Sequence, residues 1–286
     1  MLAVFLLAGC GSFGQQAHTI ALAFKAGDVY KYKLHATFKY TVSTQGFSMP
    51  FDLEVSARDT VTVNSVDSSG VADVTVQLSD LTVRSTVNGT TKTETPKTET
   101  VNLKVGADGR VVSVNGSALG SSSMPDFSGT GTGLLSAVLP DGSVRVGDTW
   151  TKTYDVNNPM GTGAVHVKAE NKYLRDEKVG GVDTAVVQSK ITHTVDLTIS
   201  SGSLGVPMSP TGASKAVQSL AIKGTVVTNV TSWIDTRAQR IVKTHSTGTT
   251  DATLTINNAS TPAASPGFFT GPISFKGTQA LEMDPA

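Results

Sequence analysis

The chain has 286 residues, and its 23 Lys+Arg balance 23 Asp+Glu to a formal net charge of zero. With no basic block it offers no cationic stripe for phosphates, which argues against a nucleic-acid binder. It holds 39 Thr and 34 Val, about a quarter of the sequence, while charged residues make up only 16%; β-branched residues favour pleated surfaces, so a helical bundle, a coiled coil and an α/β nucleotide enzyme are excluded as well.

Residues 1–9 read MLAVFLLAG and precede the only cysteine, Cys10. The run is too short to span a bilayer, which needs about 20 residues. It fits the apolar core of an export signal, although no positively charged n-region precedes it. Leu7-Ala8-Gly9-Cys10 resembles the bacterial lipoprotein signal box: an aliphatic residue, two small ones, then the cysteine. The resemblance implies a diacylglycerol thioether on Cys10, cleavage just before it, and membrane attachment through the acyl chains. With one cysteine there is no disulfide framework, so stability must come from the core. Residues 10–23 are then the lipidated cysteine and a tether.

Strand periodicity dominates the chain from residue 24 onward. Between residues 30 and 42 every even position is apolar or aromatic (Tyr30, Tyr32, Leu34, Ala36, Phe38, Tyr40, Val42), and the odd ones carry Lys31, Lys33, His35, Thr37, Lys39 and Thr41. This is a half-buried antiparallel strand, about 40 Å long at about 3.3 Å per residue. Strands of that length suit a curved, twisted sheet better than a compact sandwich. The same parity recurs around Phe51, Val74, Leu103, Val167, Val195 and Leu254, with turn signals at Asn88-Gly89, Asp108-Gly109 and Gly180-Gly181. The Thr-rich run 91–100 reads as a hairpin tip or loop.

Two stretches break the alternation. Residues 116–143 form a Gly/Ser-rich linker in which Leu134, Leu135, Val138 and Leu139 make one face of a short helix stopped by Pro140. Residues 213–220 could form two further helical turns. The chain also repeats itself: Gly27-Asp28-Val29-Tyr30 is echoed by Gly147-Asp148-Thr149-Trp150, each a Gly-Asp turn opening a strand with an aromatic two residues on. Residues 24–115 are therefore expected to be a first β-repeat and residues 144–286 a second. The expected fold is all-β and mainly antiparallel, a half-barrel or clam of two repeated units with one or two short helices. Sequence leaves open whether the units share one clam or form two domains.

The signal box, the two Gly-Asp-x-aromatic strand openings and the stretch 139–150 (LPDGSVRVGDTW) resemble a group of uncharacterised bacterial lipoproteins with duplicated β-rich domains. More distantly, the architecture is similar to the half-barrel lipoproteins that localise or carry lipids. That resemblance implies an acyl chain in an apolar concavity, and rests on fold analogy alone.

Catalytic and cofactor motifs are missing: there is no H-E-x-x-H, G-x-S-x-G, P-loop or paired Cys-x-x-Cys. The run 129–133 (GTGTG) lacks the Lys and the long helix of a phosphate loop. Asp28 and Asp148 read as turn chemistry rather than paired carboxylates. The five histidines are scattered, no two close enough in sequence to suggest a metal pair; His193 shares parity with Ile191 and Val195 and so faces the core. No catalytic residue, metal or cofactor is expected. The expected function is a membrane-anchored extracytoplasmic lipoprotein, at the cell membrane or outer membrane, that binds or carries an apolar ligand such as a lipid. Tyr32, Phe38, Leu134, Leu135, Val138, Leu139 and Trp150 are the candidate lining. The alternative is a structural or adhesion-type envelope module whose sheet faces simply pack together. An enzyme, built on His193 with a nearby carboxylate, ranks third.

Overall fold

The computed structural model describes residues 17–115, 138–157, 161–200, 217–258 and 271–286. Among these residues there are fourteen strands and no helix. The first half carries β1 (His18–Thr19), β2 (Val29–Thr44), β3 (Phe47–Val66), β4 (Ala72–Val87), β5 (Thr90–Glu94), β6 (Glu99–Val105) and β7 (Val111–Asn115). The second carries β8 (Ser143–Val144), β9 (Thr149–Asn157), β10 (Gly161–Val179), β11 (Val182–Ser200), β12 (Val217–Asp235), β13 (Arg240–Asn258) and β14 (Ile273–Pro285). Twelve strands form one antiparallel sheet in the order β7-β6-β4-β3-β2-β14-β13-β12-β11-β10-β9, with β5 beside β4. β1 and β8 form a separate two-stranded ladder. The large sheet does not close into a barrel; β7 and β9 are its edges.

The alternation of β2 is obeyed: Tyr32 and Ala36 are buried, whereas Lys31, Lys33, Lys39 and Thr41 are exposed. Register carries the same face across the sheet, because Ala36 stands opposite Val55 on β3 and Leu281 on β14. One core cluster unites Tyr32, Val61, Val74 and Leu103 with Tyr173, Val187, Ile234 and Met283. Strands near both ends of the sheet thus bury side chains together, which requires the sheet to curl with this face concave. Glycines on that face permit the tight coiling. A Cβ on Gly277 would sit 2.2 Å from the Lys39 carbonyl oxygen, and one on Gly224 would sit 2.4 Å from that of Asp251.

One end of the curl is plugged. The segment before β2 crosses it: Ile20 and Leu22 enter the core, the Leu22 N–H donates to the Ala107 oxygen (2.8 Å), and the Ala23 N–H donates to that of Gln239 (2.9 Å). Residues 138–140 enter from the other side: the Leu139 N–H donates to Asp108 O (2.8 Å), and the Trp150 indole N–H donates to Val138 O (2.9 Å). These bonds bridge the gap between the β6–β7 turn and β9. The stretch 18–22, assigned to the tether by sequence, is therefore part of the folded body.

The two Gly-Asp turns make matched hydrogen bonds. Gly27 and Gly147 have φ of 91° and 98°. The Gly27 N–H donates to Val63 O (2.8 Å) and Val63 N–H to Asp28 O (2.9 Å); the Gly147 N–H donates to Tyr173 O (2.7 Å) and Tyr173 N–H to Asp148 O (3.0 Å). The two units expected from sequence lie in a single sheet, joined where β14 pairs with β2.

The helical readings fare differently. Leu134 and Leu135, residues 213–216 and the run 129–133 lie outside the described residues. Val138 and Leu139 have no regular secondary structure, and residues 217–220 belong to β12, where Leu220 pairs with Ile256. Ladder pairing on both sides of β12 overrides a weak helical spacing. Residues 91–94, expected in a tip or loop, form most of β5, which is exposed throughout.

Candidate functional site

The concave face is the feature that the fold builds with most material, and its composition changes along its depth. At the plugged end the face is filled by the main core cluster. A cavity of about 30 Å³ remains there, lined by Leu22, Tyr30, Tyr32, Val61, Val76 and Ile241 among others; that is room for about one water. The Tyr32 hydroxyl donates to Ile241 O at 2.7 Å, and burial pushes its pKa up. Tyr30 is raised to about 12, chiefly by burial and then by its hydrogen bond to Asp28 (3.0 Å).

A polar band follows on the second repeat's side. Asn171 (β10), Ser189 (β11), Thr228 and Ser232 (β12), Thr244 and Ser246 (β13) and Gln279 (β14) are all buried and point to the concave face. Ser232 stands directly opposite Thr244, and Gly248 separates Thr228 from Gln279. The Tyr40 hydroxyl donates to Gln279 Oε1 at 2.9 Å. Gln279 Nε2, Asn171 Oδ1, Thr228 Oγ1, Ser232 Oγ and Thr244 Oγ1 have no hydrogen-bond partner among the described residues. Each such buried atom costs roughly 1–3 kcal/mol until it is satisfied. Asp59, opposite Tyr32 on β3, is also buried, and desolvation raises its pKa to about 7.

Beyond the band the face turns apolar again: Val195, Ile199 and Ile222 form a third buried cluster, with Leu197 and Leu254 packed against it. Phe38, Phe51 and Leu53 from the first repeat, and Leu197, Leu254 and Phe275 from the second, are only half-buried. The Phe38 and Tyr40 rings stack at 6.2 Å. At the far tips Phe47 is 52% exposed and Val156 41% exposed. The far end therefore presents apolar surface from both repeats, with the polar band beneath it.

The sequence-derived candidates divide between these levels. Tyr32 and Leu139 are in the packed core at the plugged end, and Val138 is in a second cluster with Val167, Ile191 and Val230. Trp150 packs against the main core and is anchored by its indole N–H. Phe38 is half-buried, stands opposite Gln279 and packs against the main core. His193 lies on the concave face opposite Val167 and Val226. Sequence reasoning missed Phe51, Leu53, Leu197, Leu254 and Phe275 as lining, although their strand parity was legible. It missed the polar band because serine and threonine at inward positions look like solvent-facing ones.

The opposite face is Thr-rich and polar. An open groove of about 570 Å³ runs over Thr225, Val227, Thr249, Asp251, Lys276 and Thr278, and Lys276 pairs with Asp251 at 3.0 Å. No family model matches the chain, and a search of curated proteins finds no relative.

Proposed function

We propose that this chain is a lipid-anchored, extracytoplasmic protein of the cell envelope whose concave sheet face holds an apolar or amphipathic ligand such as a lipid. The observation that carries this reading is the half-buried apolar level at the far end, to which both repeats contribute Phe38, Phe51, Leu53, Leu197, Leu254 and Phe275. Half-buried apolar side chains on a concave surface gain from a further apolar partner at about 25 cal/mol per Å² of area covered. Anchoring rests on the signal box around Cys10, and binding rather than catalysis is the role in view.

Two measurements test it. Mass spectrometry of lipids extracted from the purified full-length chain is expected to show a co-purifying lipid in stoichiometric amount; none at all counts against a resident ligand. Cys10→Ser is expected to move the protein from the membrane to the soluble fraction, and continued sedimentation with membranes would refute the anchor.

A second reading has its own support. The plugged end is filled to within about 30 Å³, as in a purely structural or adhesion-type envelope module. In that case the far-end apolar residues would bind no lipid.

A further inference from the structure

On the convex face, the pairing of β13 with β14 brings His245 beside two acidic residues that follow it by almost forty positions in sequence. Register places His245 opposite Glu282, and Glu282 opposite His35. Asp284, two residues along β14, shares that face. One donor atom each of His245, Glu282 and Asp284 lies within 4.8 Å of the others. A tetrahedral zinc sphere with bonds of about 2.0–2.2 Å sets its donors ~3.4 Å apart, so side-chain rotation of about an ångström closes the set.

His245 has the marks of an unused ligand. Its Nε2 is buried and has no hydrogen-bond partner among the described residues, and it lies 3.5 Å from Asp284 Oδ1. The Trp233 ring meets the imidazole edge-on at 5.4 Å, which holds its plane and shields one side from water. Lys243 occupies the place of a cation: its Nζ is 2.9 Å from Asp284 Oδ1 and 5.3 Å from the centre of the Trp233 ring. His35, opposite Glu282, is tied through Nδ1 to Ser56 Oγ on β3 at 3.2 Å and stays outside the set.

We propose that His245, Glu282 and Asp284 form a binding site for a transition-metal dication of the zinc type, with solvent completing the sphere. Imidazole with carboxylates suits zinc rather than magnesium or calcium, which take oxygen ligands alone. The metal displaces the Lys243 ammonium from Asp284.

The test is calorimetric titration of Zn²⁺ into the full-length, chelator-treated chain carrying Cys10→Ser, so that no thiol competes. One saturable equivalent is expected, weakened at least tenfold by H245A and by E282Q, and tightened by K243A. His166→Ala, which removes an exposed histidine paired to Asp155 elsewhere on the same face, is expected to leave the affinity unchanged. Circular dichroism confirms that each variant is folded. Absence of saturable binding, or binding that folded H245A and E282Q retain in full, overturns the proposal.

Discussion

Asp59 shows how a single residue couples this fold to pH. Its carboxyl is buried on the concave face, one Oδ without a hydrogen-bond partner among the described residues, and burial raises its folded pKa to about 7 from 3.8. In the unfolded chain it ionises near its ordinary value. Between about pH 4 and pH 7 the folded state thus keeps a proton that the unfolded state has lost. Stability falls as pH rises through that window, by at most about 1.4 kcal/mol per pH unit from this group. Asp59→Asn is expected to flatten that slope and to raise stability at pH 8, as read by urea denaturation across the range. A slope unchanged from the parent chain would show that another group sets it. Nothing in the sequence marks Asp59: it interrupts an apolar parity in β3 (Ala57, Val61, Val63), and only the curl of the sheet turns that position into a desolvated one.

The strands were legible in unequal measure, for one physical reason. Where wet and dry faces differ in chemistry, as in β2 with its lysines opposite aromatics, period two is unmistakable. Where the inward face carries Asn171, Ser189, Thr228, Thr244, Ser246 and Gln279, the contrast disappears, and β10–β14 read only as fragments. The turns were easier, because Asn88-Gly89 and Gly180-Gly181 need positive φ at both positions and have it. The two Gly-Asp turns were legible as well, and they make matched hydrogen bonds. The plug was missed. Residues 18–22 look like the end of a tether and 138–139 like a helix face, yet both fill the closed end. Leu22→Ala is expected to cost about 2–5 kcal/mol, the usual range for truncating a buried leucine, and to lower the urea midpoint accordingly. A loss below about 0.5 kcal/mol, as at a surface site, would mean that the segment is not part of the cooperative core.

At the scale of the whole molecule, one twelve-stranded sheet curls around a concave face, closed by a plug at one end and carrying buried and half-buried apolar residues toward the other. The neutral, Val- and Thr-rich composition serves that shape: Val supplies much of the dry face and Thr much of the wet one. The His245, Glu282 and Asp284 set was beyond sequence reasoning, because only the pairing of β13 with β14 brings the three together. Above all, the far end of the concave face is expected to take an apolar chain. The most direct measurement is titration of a fluorescent fatty acid into the full-length Cys10→Ser protein, alongside Phe51→Asp on the concave face and Thr249→Asp on the convex one. Saturable binding that Phe51→Asp weakens at least tenfold and Thr249→Asp leaves intact is expected. No saturable binding, or equal binding by both variants, would contradict an apolar-chain site on this face.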